Sequence, residues 1–162
     1  MAARRQARLP ATGTLAPGFR LATLEGGEAT LGALTAQARV LLVFFKISCP
    51  VCQLAMPFLE RLHASGGLAI YGISQNDPES TREFAGYFEV TFPILLDSEE
   101  LGYPASNAYG ISSVPTMFLV EPDGAISRVV EGWNRIDMEE LGVQAGIGLF
   151  REGDNVPAWK AG

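Results

Sequence analysis

The sequence predicts an α/β domain with a central mixed sheet and helices on both faces. Three observations carry this. Val40 to Ile47, "VLLVFFKI", is nearly all apolar and rich in Val, Leu and Phe, as suits a central strand covered on both sides. Short apolar runs of this kind alternate with stretches of helical spacing along the chain, the pattern of a sheet interleaved with helices. The tetrapeptide "EPDG", Glu121 to Gly124, has Pro and Gly placed for a type I turn. The strands on either side of it then run antiparallel, and the sheet is mixed.

The elements follow in order. Arg20 to Leu34, "RLATLEGGEATLGAL", has Gly26-Gly27 between two short alternating stretches and reads as a hairpin. The strand at Val40 to Ile47 is followed by a helix over Pro50 to Ser65, in which Val51, Leu54, Ala55, Phe58 and Leu62 recur at helical spacing. Leu68 to Ser74 is a second buried strand. Asp77-Pro78 opens a helix, with Asp as N-cap and Pro in the first turn. Phe92 to Asp97 is a short strand, and Ser98 to Tyr109 an irregular helix broken near Pro104. Thr116 to Val120 and Ala125 to Val130 flank the turn. Asp137 with Glu140 three residues on resembles a capping box, opening a last helix that runs to about Ile147.

One domain accounts for the length. The 162 residues are 48% hydrophobic and 19% charged, enough apolar material for a single core. Residues 1–15 read as a disordered basic tail, 16–150 as the domain and 151–162 as a surface tail. The net charge of −6 gives no general electrostatic reason to bind nucleic acid or an anionic membrane. The longest apolar run is far too short to span a bilayer, so no membrane insertion is expected. The Arg-rich start is not followed by the apolar stretch of a signal peptide. The chain as given is therefore expected in the cytoplasm, or in the periplasm if a signal segment has been removed, and as a monomer.

The two cysteines, Cys49 and Cys52, stand in "FFKISCPVCQLAMPFLERL", where the central strand ends and the helix begins. A metal clamp wants four ligands, and the lone His63 leaves the set short. A structural staple across so short a loop would remove little unfolded-state entropy. Two small buried hydrophobes are the plainest alternative. A reactive pair fits the position better. Pro50 suits the first helical position, which makes Cys49 the N-cap, facing unpaired N–H groups and the positive end of the helix dipole. Both favour a thiolate. Cys52 lies on the stripe with Met56 and Leu59 and is expected to be the more shielded sulfur. Lys46, three residues before Cys49, is either a thiolate-stabilising cation or a strand-end lysine reaching solvent. His63 reads as a solvated helix cap, and Trp133 as a packed sheet-edge aromatic.

Through "LLVFFKISCPVCQLAMP" and "ISSVPTMFLVEPDGAI" the chain resembles the thioredoxin superfamily. Pro57 matches the family's proline five residues after the second cysteine, and Pro115 its cis-proline packed beside the pair. The segments "LAPGFRLATLEGGEATLGAL" and "PESTREFAGYFEVTFPILLD" are similar to the redoxin branch, that of TlpA- and ResA-like proteins and AhpC/TSA peroxiredoxins. The resemblance implies a thioredoxin-like fold with an N-terminal hairpin and a redoxin-type insertion. It implies a catalytic set of Cys49, Cys52 and Pro115. Ser48, Pro50, Val51, Val114 and Thr116 would line the substrate site, with the Val114 backbone pairing with an extended substrate. No metal or organic cofactor is implied. The partners are a protein or small-molecule disulfide or dithiol and a thiol electron donor.

The chain also departs from that pattern. Ser48 stands where thioredoxins usually have Trp. Val43 and Ala55 occupy the two positions at which thioredoxins and ResA-like proteins respectively place an acid. The Pro and Thr or Ser that activate a peroxide-reactive cysteine are replaced by Leu42 and Lys46 counting from Cys49, or by Phe45 and Cys49 counting from Cys52. The expectation is a thiol–disulfide oxidoreductase in which Cys49 is the nucleophile and Cys52 resolves the mixed disulfide. A thiol peroxidase and a redox-responsive binding module without turnover are the alternatives.

Overall fold

The computed structural model describes residues 8–162. Seven strands form one sheet in the order β2-β1-β5-β4-β3-β6-β7. They are β1 (Arg20–Thr23), β2 (Glu28–Thr30), β3 (Val40–Phe45), β4 (Ala69–Ser74), β5 (Ile94–Leu96), β6 (Thr116–Val120) and β7 (Ile126–Glu131). β3 pairs parallel with β4 and antiparallel with β6. β4 and β5 are parallel, β6 and β7 antiparallel. The expected mixed sheet is present, and the hairpin expected around Gly26-Gly27 is β1–β2.

β3 is the axis of the molecule, and all six of its residues are wholly buried. Alternate side chains point to opposite faces, and both faces are covered. Phe45 stacks on Phe84 at 5.5 Å, from helix α3 (Pro78–Tyr87). Phe44 meets Tyr109 at 5.0 Å and Phe118 at 5.8 Å, Tyr109 being the C-cap of α4 (Pro104–Ala108). That two-sided burial is why the sequence here shows no alternation. α2 (Pro50–Ala64) follows β3 and crosses to β4. α3 begins at the expected cap, with the Ser80 N–H donating to Asp77 at 3.0 Å.

Two elements differ from the sequence expectation. Residues 31–37 form a helix, α1 (Leu31–Gln37), in place of the end of the hairpin; Thr30 caps it by accepting the Ala33 N–H. The last helix, α5 (Arg135–Gln144), starts before Asp137 and is capped by Asn134, whose side chain accepts the Asp137 N–H. The two acids read as a capping box are instead turned to Arg128 on β7, each at 2.6 Å. A guanidinium within reach of both carboxylates offers charge-assisted bonds that the helix N–H groups do not match.

The flanking segments are tied to the domain. The Gly13 N–H donates to the Ile126 carbonyl at 2.8 Å and the Ala16 N–H to that of Gly124 at 2.9 Å, so these residues lie along the β6–β7 turn. Residues 1–7 of the expected basic tail lie outside the described residues. In 151–162, Asp154 forms a two-pronged pair with Arg61 of α2 at 2.6 and 3.1 Å. Trp133 donates its indole N–H to the Pro157 carbonyl at 2.7 Å. Beyond it, β8 (Trp133–Asn134) and β9 (Trp159–Lys160) pair antiparallel.

Candidate functional site

The site forms where β3 gives way to α2. The chain leaves the sheet at Phe45 and turns through Lys46, Ile47 and Ser48, with the Cys49 N–H donating to the Lys46 carbonyl at 3.3 Å. This turn is held from both sides. The Ile47 N–H donates to Asn76 Oδ1 at 2.9 Å, and Gln53 Nε2 donates to the Ile47 carbonyl at 2.9 Å. Cys49 is the N-cap, in extended backbone conformation, and Pro50 is the first helical residue. The missing proline N–H removes a donor that would have no helical acceptor.

The cap places the two sulfurs in different surroundings. Cys49 Sγ accepts the Cys52 N–H at 3.1 Å and donates its proton to the Val114 carbonyl at 3.3 Å. It is half-buried, while Cys52 is wholly buried. Cys52 lies one helical turn in, on the face shared with Ala55, Met56 and Leu59, all of them fully buried. Burial pushes the Cys52 thiol well above the ordinary thiol range, and its hydrogen bond with Cys49 adds to that. Val43 and Ala55 are also fully buried, so neither of the two positions where an acid would sit brings a carboxylate to this sulfur. Both cysteines are free thiols.

The Val114-Pro115 peptide is cis and stands against the helix start. Its loop is fixed by the Thr116 hydroxyl, which donates to the Ser113 carbonyl at 2.9 Å. The Gly132 N–H donates to the Pro115 carbonyl at 2.8 Å. Val114, Pro115 and Thr116 are buried. Among the described residues the Val114 peptide has no backbone hydrogen-bond partner.

The structure therefore brings Cys49, Cys52, Val114 and Pro115 together. Ser48 and Pro50 are exposed at the rim. Val51 is only 8% exposed and packs into the core. Lys46 is exposed and serves the turn through its backbone carbonyl. His63 is in the last turn of α2 and meets Phe92 edge-on at 6.2 Å. Trp133 is fully buried against Phe58 of α2 at 5.2 Å, so it supports the helix from behind. Sequence reasoning missed Gln53 and Asn76. Gln53 is a polar side chain in the first turn of the helix, a position well placed to reach back to the preceding loop. Nothing local to Asn76 marks it, because its partner is 29 residues away. Among the described residues no group of three or more potential metal ligands occurs, and no helix is long and apolar enough to cross a membrane.

Comparison with known proteins agrees with this geometry. The model of the AhpC/TSA family matches residues 12–129. The chain is 32% identical over 126 residues to the thiol-disulfide oxidoreductase ResA of Geobacillus thermodenitrificans, covering 75% of this chain and 70% of that protein. It is 34% identical over 128 residues to ResA of Halalkalibacterium halodurans, covering 76% and 70%. Its fold is that of the thioredoxin domain of a thiol-disulfide oxidoreductase from Bacteroides vulgatus, with a TM-score of 0.71 at 23% identity over 85% of this chain and 99% of that one. The chain belongs to the AhpC/TSA family, with a thioredoxin-like fold, and groups there with thiol–disulfide oxidoreductases of the ResA kind.

Proposed function

We propose that this AhpC/TSA-family chain exchanges thiols and disulfides through Cys49 as nucleophile and Cys52 as resolving thiol. The observation that carries the reading is the unequal placement of the two sulfurs in the first turn of α2. Cys49 is reachable from solvent and has an N–H donor aimed at its sulfur. Cys52 is buried beneath it.

In the reducing direction the Cys49 thiolate attacks one sulfur of a substrate disulfide. The substrate S–S bond breaks, a Cys49–substrate disulfide forms, and the other substrate sulfur leaves as a thiolate that takes up a proton. Cys52 then loses its proton and attacks Cys49 Sγ. The mixed disulfide breaks, the second substrate thiol leaves, and a Cys49–Cys52 disulfide remains. The substrate has gained two electrons and the enzyme has lost two. A thiol donor resets the pair by the same exchange, and the steps run in reverse on a dithiol substrate. Negative charge on Cys49 Sγ is met by the Cys52 N–H and the start of the helix. The Val114 backbone, beside that sulfur, is where an extended substrate backbone would pair. Ser48 and Pro50 border the same opening, and Val51, Pro115 and Thr116 shape it from beneath. Lys46 adds a positive charge at its edge.

Replacement of each sulfur by serine tests the roles. Cys49→Ser is expected to lower turnover of a disulfide reporter by roughly a thousandfold or more, as loss of a nucleophile does. Cys52→Ser should stall as a covalent adduct with one substrate half on Cys49, seen as a mass increase that dithiothreitol removes. An adduct on Cys52 in Cys49→Ser, with turnover retained, would reverse the assignment.

A further inference from the structure

The segment after α5 runs against the cis-proline loop. β9 pairs with β8 in the register Trp133↔Lys160 and Asn134↔Trp159, and the Arg135 N–H donates to the Ala158 carbonyl at 2.9 Å. This carries residues 160–162 into the angle between Gly132 and Val114. The contacts there are backbone on backbone. A Cβ at Gly132 would overlap the Lys160 carbonyl oxygen and stand 3.1 Å from the Gly162 nitrogen. A Cβ at Gly162 would overlap the Val114 carbonyl oxygen and stand 2.8 Å from the Val114 carbonyl carbon. Gly132, with φ +70, also suits a backbone conformation that other residues rarely adopt. Two glycines thus let the segment lie flush on the edge of the site, against the carbonyl that accepts the Cys49 thiol proton.

We propose that Trp159–Gly162 is a specificity strap. It occupies the side of Val114 along which an extended polypeptide would lie, and leaves Cys49 Sγ reachable end-on. The inference rests on the thiol–disulfide reading above. In the closed arrangement small disulfides reach the sulfur directly, while a disulfide in an extended chain must first displace the strap. What holds the strap is slight. β9 has two residues, and Trp159, Lys160, Ala161 and Gly162 are all exposed. If the groove is open in about a tenth of molecules, affinity for an extended chain is lowered about tenfold, because only the open fraction binds.

The test compares kcat/KM for a low-molecular-weight aromatic disulfide with that for a disulfide-linked unfolded polypeptide. Two variants are used, each checked for an unchanged near-UV spectrum. Gly162→Val places a side chain against the Val114 carbonyl and drives the strap off. Lys160→Pro removes a strand N–H and breaks the β8–β9 ladder. Both should raise the polypeptide rate about tenfold, the open fraction approaching one, while leaving the small-disulfide rate within twofold. Unchanged ratios in both variants would overturn the proposal, and so would a fall in the polypeptide rate, which would make the segment part of the binding wall. Absence of small-disulfide turnover in the unaltered protein would count against the thiol–disulfide reading itself.

Discussion

The rim and the floor of the site present the same atom in opposite settings. At the rim, Cys49 is half-buried between the exposed Ser48 and Pro50, and its Sγ has an N–H donor at 3.1 Å. On the floor, Cys52 is wholly buried among Ala55, Met56 and Leu59, with its thiol pushed up first by desolvation. Only two residues of sequence separate a half-buried sulfur from one whose negative charge the surroundings oppose. A buried thiol has to ionise to act, and apolar packing makes that costly. The difference underlies the proposed order of events, in which attack comes from the rim and the step that waits is the loss of the floor proton.

Supplying the missing base is the strongest way to break this contrast. Val43→Asp or Ala55→Glu puts a carboxylate where the floor has none. Decay of the mixed disulfide near neutral pH should rise roughly a hundredfold, within the range of general-base catalysis. The unfolding midpoint in urea should fall, since each variant buries an ionisable group. Unchanged decay in both variants would mean that proton loss from Cys52 is not what limits resolution.

A smaller effect separates the sulfurs by access alone. In the reduced protein, mass-mapped iodoacetamide labelling should modify Cys49 at least about tenfold faster than Cys52, because reactivity follows exposure and thiolate character. Faster labelling of Cys52 would invert rim and floor.

The smallest expected effect concerns the turn that holds the rim in place. Asn76→Ala leaves the Ile47 N–H without its side-chain acceptor, which should cost about 1–3 kcal/mol where that donor stays shielded. Cys49 labelling should slow or become heterogeneous while Cys52 stays protected. Equal loss of protection at both sulfurs would show that the turn positions the whole helix start.

How much of this was legible in the sequence depended on where each feature's partners lie. β3, α2 and α3 could be read because apolar runs, helical spacing and caps such as Asp77 are local signals. Cys49 as N-cap followed from Pro50 beside it. The helix α1 was missed because "TLGAL" alternates as a strand would, and only the cap at Thr30 turns it. The start of α5 was misplaced because Arg128, nine residues before Asp137 and on another element, takes the acids that looked like a capping box. The attachment of residues 151–162 was invisible for the same reason. Asp154 answers Arg61 on a distant helix, and the glycine contacts at Gly132 and Gly162 leave no compositional mark. The pairing of Cys49 with Val114 came only through resemblance to a family, since the two are 65 positions apart in sequence.

A single-turnover pH profile with a disulfide substrate tests most directly the proposal that resolution by Cys52 is gated by its proton. Formation and decay of the Cys49 mixed disulfide are followed separately by rapid quench and mass spectrometry. The folded protein holds Cys52 as a neutral thiol above the ordinary value of 9.0. Its thiolate is therefore scarce at neutral pH, and grows about tenfold for each unit of rise until its raised pKa is reached. The sign for stability is opposite. The contribution from keeping this thiol neutral is whole below 9.0 and is lost as pH climbs toward the raised value. The account predicts a decay rate that climbs steeply with pH through and beyond neutrality, with formation much less affected. Fast, pH-independent decay at neutral pH would show that some other group already takes the Cys52 proton, and would contradict it.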